Sequence, residues 1–216
     1  MKIGVISDIH GNYVGLKSAI SYLETNKCKI ICLGDIVSDD SDENDVCIQL
    51  LDAKNIPSVI GQHDDTCLKT NFPQINDESK KFIKNMKTMA RYKDLLFVHD
   101  NPLKEARAGK GMWREGSYIK TLLEAQVVLD SFEFRKFGVK YIFFGHSHIP
   151  KVFQDNIDLT FDIGKQKQLD DDKYLINPGR IGGMARYPES SPSFLVFDTT
   201  KIAITFYQTD QISEVI

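Results

Sequence analysis

Long apolar runs are missing from this 216-residue chain; none approaches the roughly 18 residues of a membrane-spanning helix, so an embedded protein is not expected. The opening residues MKIGVIS lack the apolar core and small-residue cleavage site of an export signal, and the chain is expected to stay in the cytoplasm. Cysteine is scarce, and Cys28, Cys32, Cys47 and Cys67 show no paired CxxC spacing. Lying mostly in or beside apolar segments, they read as reduced thiols rather than a zinc ribbon or a disulfide framework. There is no excess of positive charge either. With 27 basic and 30 acidic residues the formal net charge is -3, so neither nucleic acid nor an acidic membrane surface is an expected partner. Internal repeats, low-complexity tracts and linkers are also absent. What remains, 42% hydrophobic and 26% charged residues, is expected to fold as one domain over residues 1–216 with a sizeable core.

Short apolar runs bounded by turn residues punctuate the first two thirds: KIGVIS, KIICLG, IPSVIG, DLLFVH and KYIFFG. Each reads as a buried strand. Helical periodicity fills the stretches 13–26, 43–55, 78–92 and about 118–137, so the alternation predicts an α/β arrangement with helices on the faces of a sheet. Beyond Pro150 the texture changes to KVFQ, DLTFDI, KYLIN, SFLVFD and KIAITFYQ, separated by turn signals, and predicts antiparallel strands continuing a second sheet layer. The irregular stretch 101–117 is a candidate rim or lid.

The chain has five histidines, and all of them sit at the ends of those five runs. Asp8 and His10 follow the first run and Asp35 the second; Gln62, His63 and Asp64 follow the third, His99 and Asp100 end the fourth, and His146 and His148 follow the fifth. In an open α/β sheet, ligands bind outside the carboxyl ends of the strands, where loops diverge and backbone groups are free. The i, i+2 spacing of Asp8 with His10, and of His146 with His148, lets each pair project to one side if strand geometry continues past the strand end. Imidazoles and carboxylates without thiolates suit Mn, Fe, Zn or Ni. There are more candidate ligands than one ion needs, so the pattern predicts two divalent ions sharing a bridging carboxylate, a device that activates water for attack on phosphorus.

The blocks SDIHGN (7–12), GDIV (34–37), GQHD (61–64), the histidine of FVHDNP at 99 and GHSH (145–148) resemble, in order, the signature blocks of the calcineurin-like metallophosphoesterases. INPGRIGG (176–183) further resembles the asparagine-proline-glycine motif of that superfamily's small bacterial and archaeal phosphodiesterase branch. The resemblance implies a four-layer αββα sandwich, two mixed β-sheets flanked by helices. It implies Asp8, His10 and His148 on one ion, Asp35 as the bridge, and His99, His146 and the amide of Gln62 on the other. His63 then stabilises the transition state or protonates the leaving oxygen, and the expected substrates are small phosphodiesters or nucleotide-like phosphates.

Two positions depart from the family pattern: Gln62 stands where asparagine is usual, and Asp100 where glycine usually follows the histidine. Asp100 reads as a supporting partner, an extra ligand or a turn residue. Asp64 reads either as orienting an imidazole or as a loop-capping carboxylate. Asn12 reads chiefly as a helix N-cap, with substrate contact as the other role. Arg180 and Arg186 are candidate phosphate binders or solvated arginines. A scaffold or a metal- or nucleotide-binding sensor on the same fold is the alternative function; Gln62 favours it and the full complement of histidines opposes it. Oligomers are compatible with everything in the sequence.

Overall fold

The computed structural model describes residues 1–105, 118–182 and 191–212. The chain begins as its apolar runs predict, with β1 (Lys2–Ile6), α1 (Tyr13–Thr25), β2 (Lys29–Cys32) and α2 (Asn44–Ala53). IPSVIG, expected as the third strand, makes only isolated bridges, from Ser58 to Cys32 and from Val59 to Lys87. It runs between the edges of two sheets and ladders with neither. Then come α3 (Gln62–Thr70), α4 (Asp77–Asn85), β3 (Met89–Tyr92), β4 (Leu95–Val98) and α5 (Pro102–Glu105). The periodic stretch 78–92 is therefore helical only to Asn85, and its last residues pair with β4 in a hairpin.

The stretch 118–137 divides as well, into α6 (Leu122–Ser131) and α7 (Phe134–Phe137). The break falls at Phe132, whose backbone is extended and whose ring is buried. The remaining elements are β5 (Tyr141–Phe143), β6 (Lys151–Gln154), β7 (Ile157–Asp158), β8 (Lys167–Gln168), β9 (Tyr174–Asn177), β10 (Ser193–Asp198), β11 (Ala203–Gln208) and α8 (Thr209–Ile212). Of DLTFDI only Asp158 joins a strand; Leu159, Phe161 and Ile163 pack on the core from irregular backbone.

Two mixed sheets result, with strand orders β2-β1-β10-β11-β8 and β3-β4-β5-β9-β6-β7. The late strands do not form a layer of their own. β10 and β11 return to the first sheet beside β1, whereas β9 lies parallel to β5 and β6 antiparallel to β9 in the second.

Strand alternation separates three apolar layers. Ile3, Val5, Leu195 and Phe197 of the first sheet face Phe97, Tyr141, Phe143 and Ile176 of the second, forming the middle layer. The opposite faces carry Ile6, Phe194 and Val196 towards α1 and α2, and Leu96, Val98, Ile142 and Leu175 towards α6 and α7. Helix, sheet, sheet, helix is thus the order of layers, the αββα sandwich. Both central sheets end on the same side, and there the five histidines meet.

Candidate metal centre

The loop after β1 carries Asp8 and His10, but strand geometry does not continue through it. Asp8 and His10 adopt left-handed backbone with φ of 52° and 47°, as do Asp35 at 51°, His146 at 66° and His148 at 61°. Non-glycine residues are uncommon in this region, and each costs of order 1 kcal/mol or more. The tight turns are what swing the side chains together, in place of the expected strand-like projection. They are held by backbone bonds between the two strand-end loops: Asp8 N–H donates to Gly34 O at 3.0 Å and His10 N–H to Asp35 O at 3.0 Å.

Glycines permit the close approach. A methyl group on Gly145 would lie 2.1 Å from Ser7 Oγ and 2.8 Å from Asp8 Oδ2, and one on Gly61 would lie 2.2 Å from Asp35 Oδ1. Neither position has room for a side chain.

Three sets of side chains could each hold a metal ion: Asp8, His10 and His148; Asp35, His99 and His146; and His10, Asp35 and His63, with candidate ligand atoms in each set within 4.8 Å of one another. His148 Nε2 stands 3.2 Å from Asp8 Oδ1 and 3.0 Å from His10 Nε2. His99 Nε2 lies 3.2 Å from Asp35 Oδ2 and 2.7 Å from Gln62 Oε1, while its Nδ1 contacts Leu33 O at 2.7 Å. The longer side chain of Gln62 therefore reaches the cluster from the first residue of α3.

Burial governs the electrostatics. It opposes ionisation of Asp8, yet the neighbouring His148, with His99 and His10, holds that carboxyl well below its ordinary value. Asp35 resists its own burial in the same way, through His99, and falls to about 2. Burial alone would lower His99, but the Asp35 carboxylate outweighs it and lifts the imidazole to about 10. Burial brings His10 down to about 4, and burial together with His99 brings His146 to about 4, so both offer neutral rings at neutral pH. Two buried carboxylates thus face one imidazolium, a donor set suited to cations.

The same residues pass a second test. His146 Nδ1 is buried without a hydrogen bond among the described residues, and the buried Asp35 Oδ2 faces His99 Nε2 at 3.2 Å. Leaving a buried polar atom such as His146 Nδ1 unpartnered costs about 1–3 kcal/mol. Divalent cations that accept imidazole and carboxylate ligands would relieve that cost.

The supporting residues are resolved too. Asp64 takes the loop-capping role of the two open to it: one oxygen accepts the N–H groups of Ile36 at 2.8 Å and Val37 at 3.2 Å, the other those of Asp35 at 2.9 Å and Gly61 at 3.0 Å. Burial, followed by the charge of Asp35, pushes this carboxyl up to about 6. Asn12 caps α1 through Gly15 N–H at 2.9 Å and donates to Ile181 O at 2.8 Å, leaving both ends of its amide occupied. Asn177 donates to Gly145 O and Ser147 Oγ and accepts from Gly179 N–H, bracing the GHSH loop.

Arg180 is buried, 1% exposed, and donates to Gly182 O at 3.0 Å. Arg186 lies outside the described residues, as does most of the expected lid. Asp100 is buried and accepts the N–H of Asn101, belonging to none of the three sets. One neighbour of the cluster gave no sequence signal: Tyr118, stacked flat on His146.

A pair of mixed sheets whose strand ends carry overlapping imidazole and carboxylate sets able to hold metal ions is the arrangement expected of the metallophosphoesterase class. No helix among the described residues is long and apolar enough to cross a membrane. The chain belongs to the calcineurin-like phosphoesterase superfamily, whose domain matches residues 1–201. It is 33% identical over 205 residues to an uncharacterized protein of Methanocaldococcus jannaschii, an alignment covering 91% of this chain and 82% of that protein. Its fold is similar to that of a metallophosphoesterase from Sphaerobacter thermophilus, with a TM-score of 0.78 and 24% identity across 96% of this chain and 87% of the other. An archaeal phosphodiesterase shares the fold at a TM-score of 0.53 and 16% identity, over 96% of this chain and 99% of that one.

Proposed function

We propose that the protein is a metal-dependent phosphoesterase that hydrolyses small phosphodiesters or nucleotide-like phosphates with two divalent ions, Mn, Fe, Ni or Zn. The observation that carries this reading is overlap: Asp35 groups with His99 and His146 on one side and with His10, a member of the Asp8 and His148 set, on the other, as a carboxylate shared by two ions would. Asp8, His10 and His148 would hold one ion; His99, His146 and the Gln62 amide the other; and Asp35 both. Two ions bound there supply an activated water and neutralise charge on the phosphoryl oxygens.

The chain's own residues do the rest. Gln62 enters from the first turn of α3 with its oxygen already turned to His99, and Asp64 fixes the loop that carries Asp35. His63 is half-buried. Its backbone N–H donates to Asp35 Oδ1 at 2.8 Å and its ring meets His10 edge-on at 4.9 Å between centroids. It therefore borders the shared carboxylate, where it can give a proton to a departing alkoxide.

The direct test is hydrolysis of an aryl phosphodiester and the matching monoester by metal-stripped protein titrated separately with Mn, Ni, Zn and Mg. Metal-dependent turnover favouring the diester is expected. Metal binding without cleavage of either ester would overturn the reading in favour of a sensor or scaffold. His63→Ala should keep the metal content and lose about 10²-fold in turnover of esters with poor leaving groups, with a smaller loss on nitrophenyl esters. Equal losses on both substrates would remove His63 from leaving-group protonation.

A further inference from the structure

We infer that Tyr118 is a positioning residue for the metal centre: its ring fixes the plane of the His146 imidazole and so sets the affinity of the second ion. The inference rests on the two-ion reading above. Histidine ligands are ordinarily held by a hydrogen bond from the ring nitrogen that faces away from the metal. His99 has such a contact at Leu33 O, while His10 and His148 meet through the Nε2 atoms that also face Asp8.

His146 is different. Its backbone N–H is tied to Asp8 at 3.1 Å, yet its ring has no hydrogen bond among the described residues, and Nδ1 is buried. Rotation of an imidazole about its χ2 bond is soft, so a ring without a hydrogen bond needs another restraint. Tyr118 provides one. The two rings are 4.2 Å apart between centroids and inclined by only 4°, whereas the contact of His146 with His99 is inclined by 66° at 5.3 Å. A parallel face contact resists rotation of either ring out of the shared plane.

Tyr118 is itself anchored from the sequence side. The next residue, Ile119, is 2% exposed in the layer beneath α6. Beyond it, Glu124 accepts the N–H groups of Lys120 at 2.8 Å and Thr121 at 2.9 Å, while Thr121 Oγ1 caps α6. The Lys120 ammonium lies 4.5 Å from the centre of the tyrosine ring, a cation over its electron-rich face. A buried isoleucine and a helix cap therefore deliver the ring to the mouth of the centre.

The test is calorimetric titration of metal-free protein with Mn2+, in the wild type and in Tyr118→Leu, Tyr118→Asn and Tyr118→Phe, with Tm measured in parallel. Two binding steps are expected in the wild type. Leu and Asn should weaken the second about tenfold, the size associated with groups that orient a ligand, and leave the first and the metal-free Tm in place. Phe should restore wild-type binding, since the stack needs only the ring. In the metal-free protein the His146 ring protons should also move downfield in Leu and Asn as the tyrosine ring current is lost. Two wild-type steps left unchanged by Leu and Asn would overturn the role of Tyr118 alone. A single step in the wild type would overturn the two-ion reading and this inference with it, and equal weakening of both steps with a lowered Tm would reduce Tyr118 to a packing residue.

Discussion

Asp35→Asn should abolish binding of both ions while leaving the fold standing. The substitution is isosteric, and the backbone it sits on is held from elsewhere, by Asp64 on the Asp35 N–H and by the His10 N–H on the Asp35 carbonyl. An asparagine can keep its oxygen on the His63 N–H, now bound to Oδ1 at 2.8 Å. Its NH₂ would then take the place of Oδ2, the buried oxygen 3.2 Å from His99 Nε2. An NH₂ group cannot ligate a cation, and the pocket loses one of its two central negative charges. Groups that merely orient ligands change metal affinity by about 10–100-fold, so loss of a shared ligand should weaken both binding steps by at least about a hundredfold. Titration of metal-free protein with Mn2+ measures this directly. Should one step keep its wild-type affinity, Asp35 is not a bridge, and the shared membership that supports the two-ion reading has another cause.

That such a prediction can start from sequence follows from the scarcity of histidine. With all five histidines at the ends of apolar runs and none in the stretches of evident helical period, their convergence was legible in the sequence. How they converge was not. The i, i+2 spacing suggests continuing strands, but the chain uses left-handed turns at Asp8, His10, Asp35, His146 and His148, a conformation that Asp and His tolerate better than most residues but that the spacing does not specify.

α3 was hidden for a related reason. QHDDTCLKT buries only Asp64 and Cys67, too little apolar periodicity to mark a helix, so Gln62, His63 and Asp64 read as a loop although they form the helix's first turn. Strand partners were illegible as well. KYLIN and SFLVFD look alike locally, yet one pairs beside β5 and the other beside β1, a choice made by the packing of layers rather than by either segment. Tyr118 meets His146 across 28 positions of chain, and no local pattern encodes such a contact.

The role of Asp64 yields the other large effect, in stability and in metal binding together. Four backbone N–H groups, from Asp35, Ile36, Val37 and Gly61, converge on its two oxygens in a site with no exposure. Asp64→Asn preserves shape but turns an NH₂ group towards two of those donors. Whichever way the amide lies, a pair of N–H groups loses its acceptor: Asp35 with Gly61, or Ile36 with Val37. Each buried donor left unsatisfied costs about 1–3 kcal/mol. Part of this is offset because burial and the Asp35 charge already make the ionised carboxylate expensive, which is why its pKa stands near 6. A net loss of about 3 kcal/mol is therefore expected, or a fall of roughly 6–12 °C in Tm for a chain of this size.

The loop set free is the one that presents Asp35, so both ions should also bind more weakly at temperatures where the variant is still folded. Thermal unfolding of metal-free protein and Mn2+ titration at 20 °C separate the two consequences. A variant that unfolds earlier but binds both ions as the wild type does would make Asp64 a stability residue only. Unchanged Tm would show that the four N–H bonds contribute little net stability.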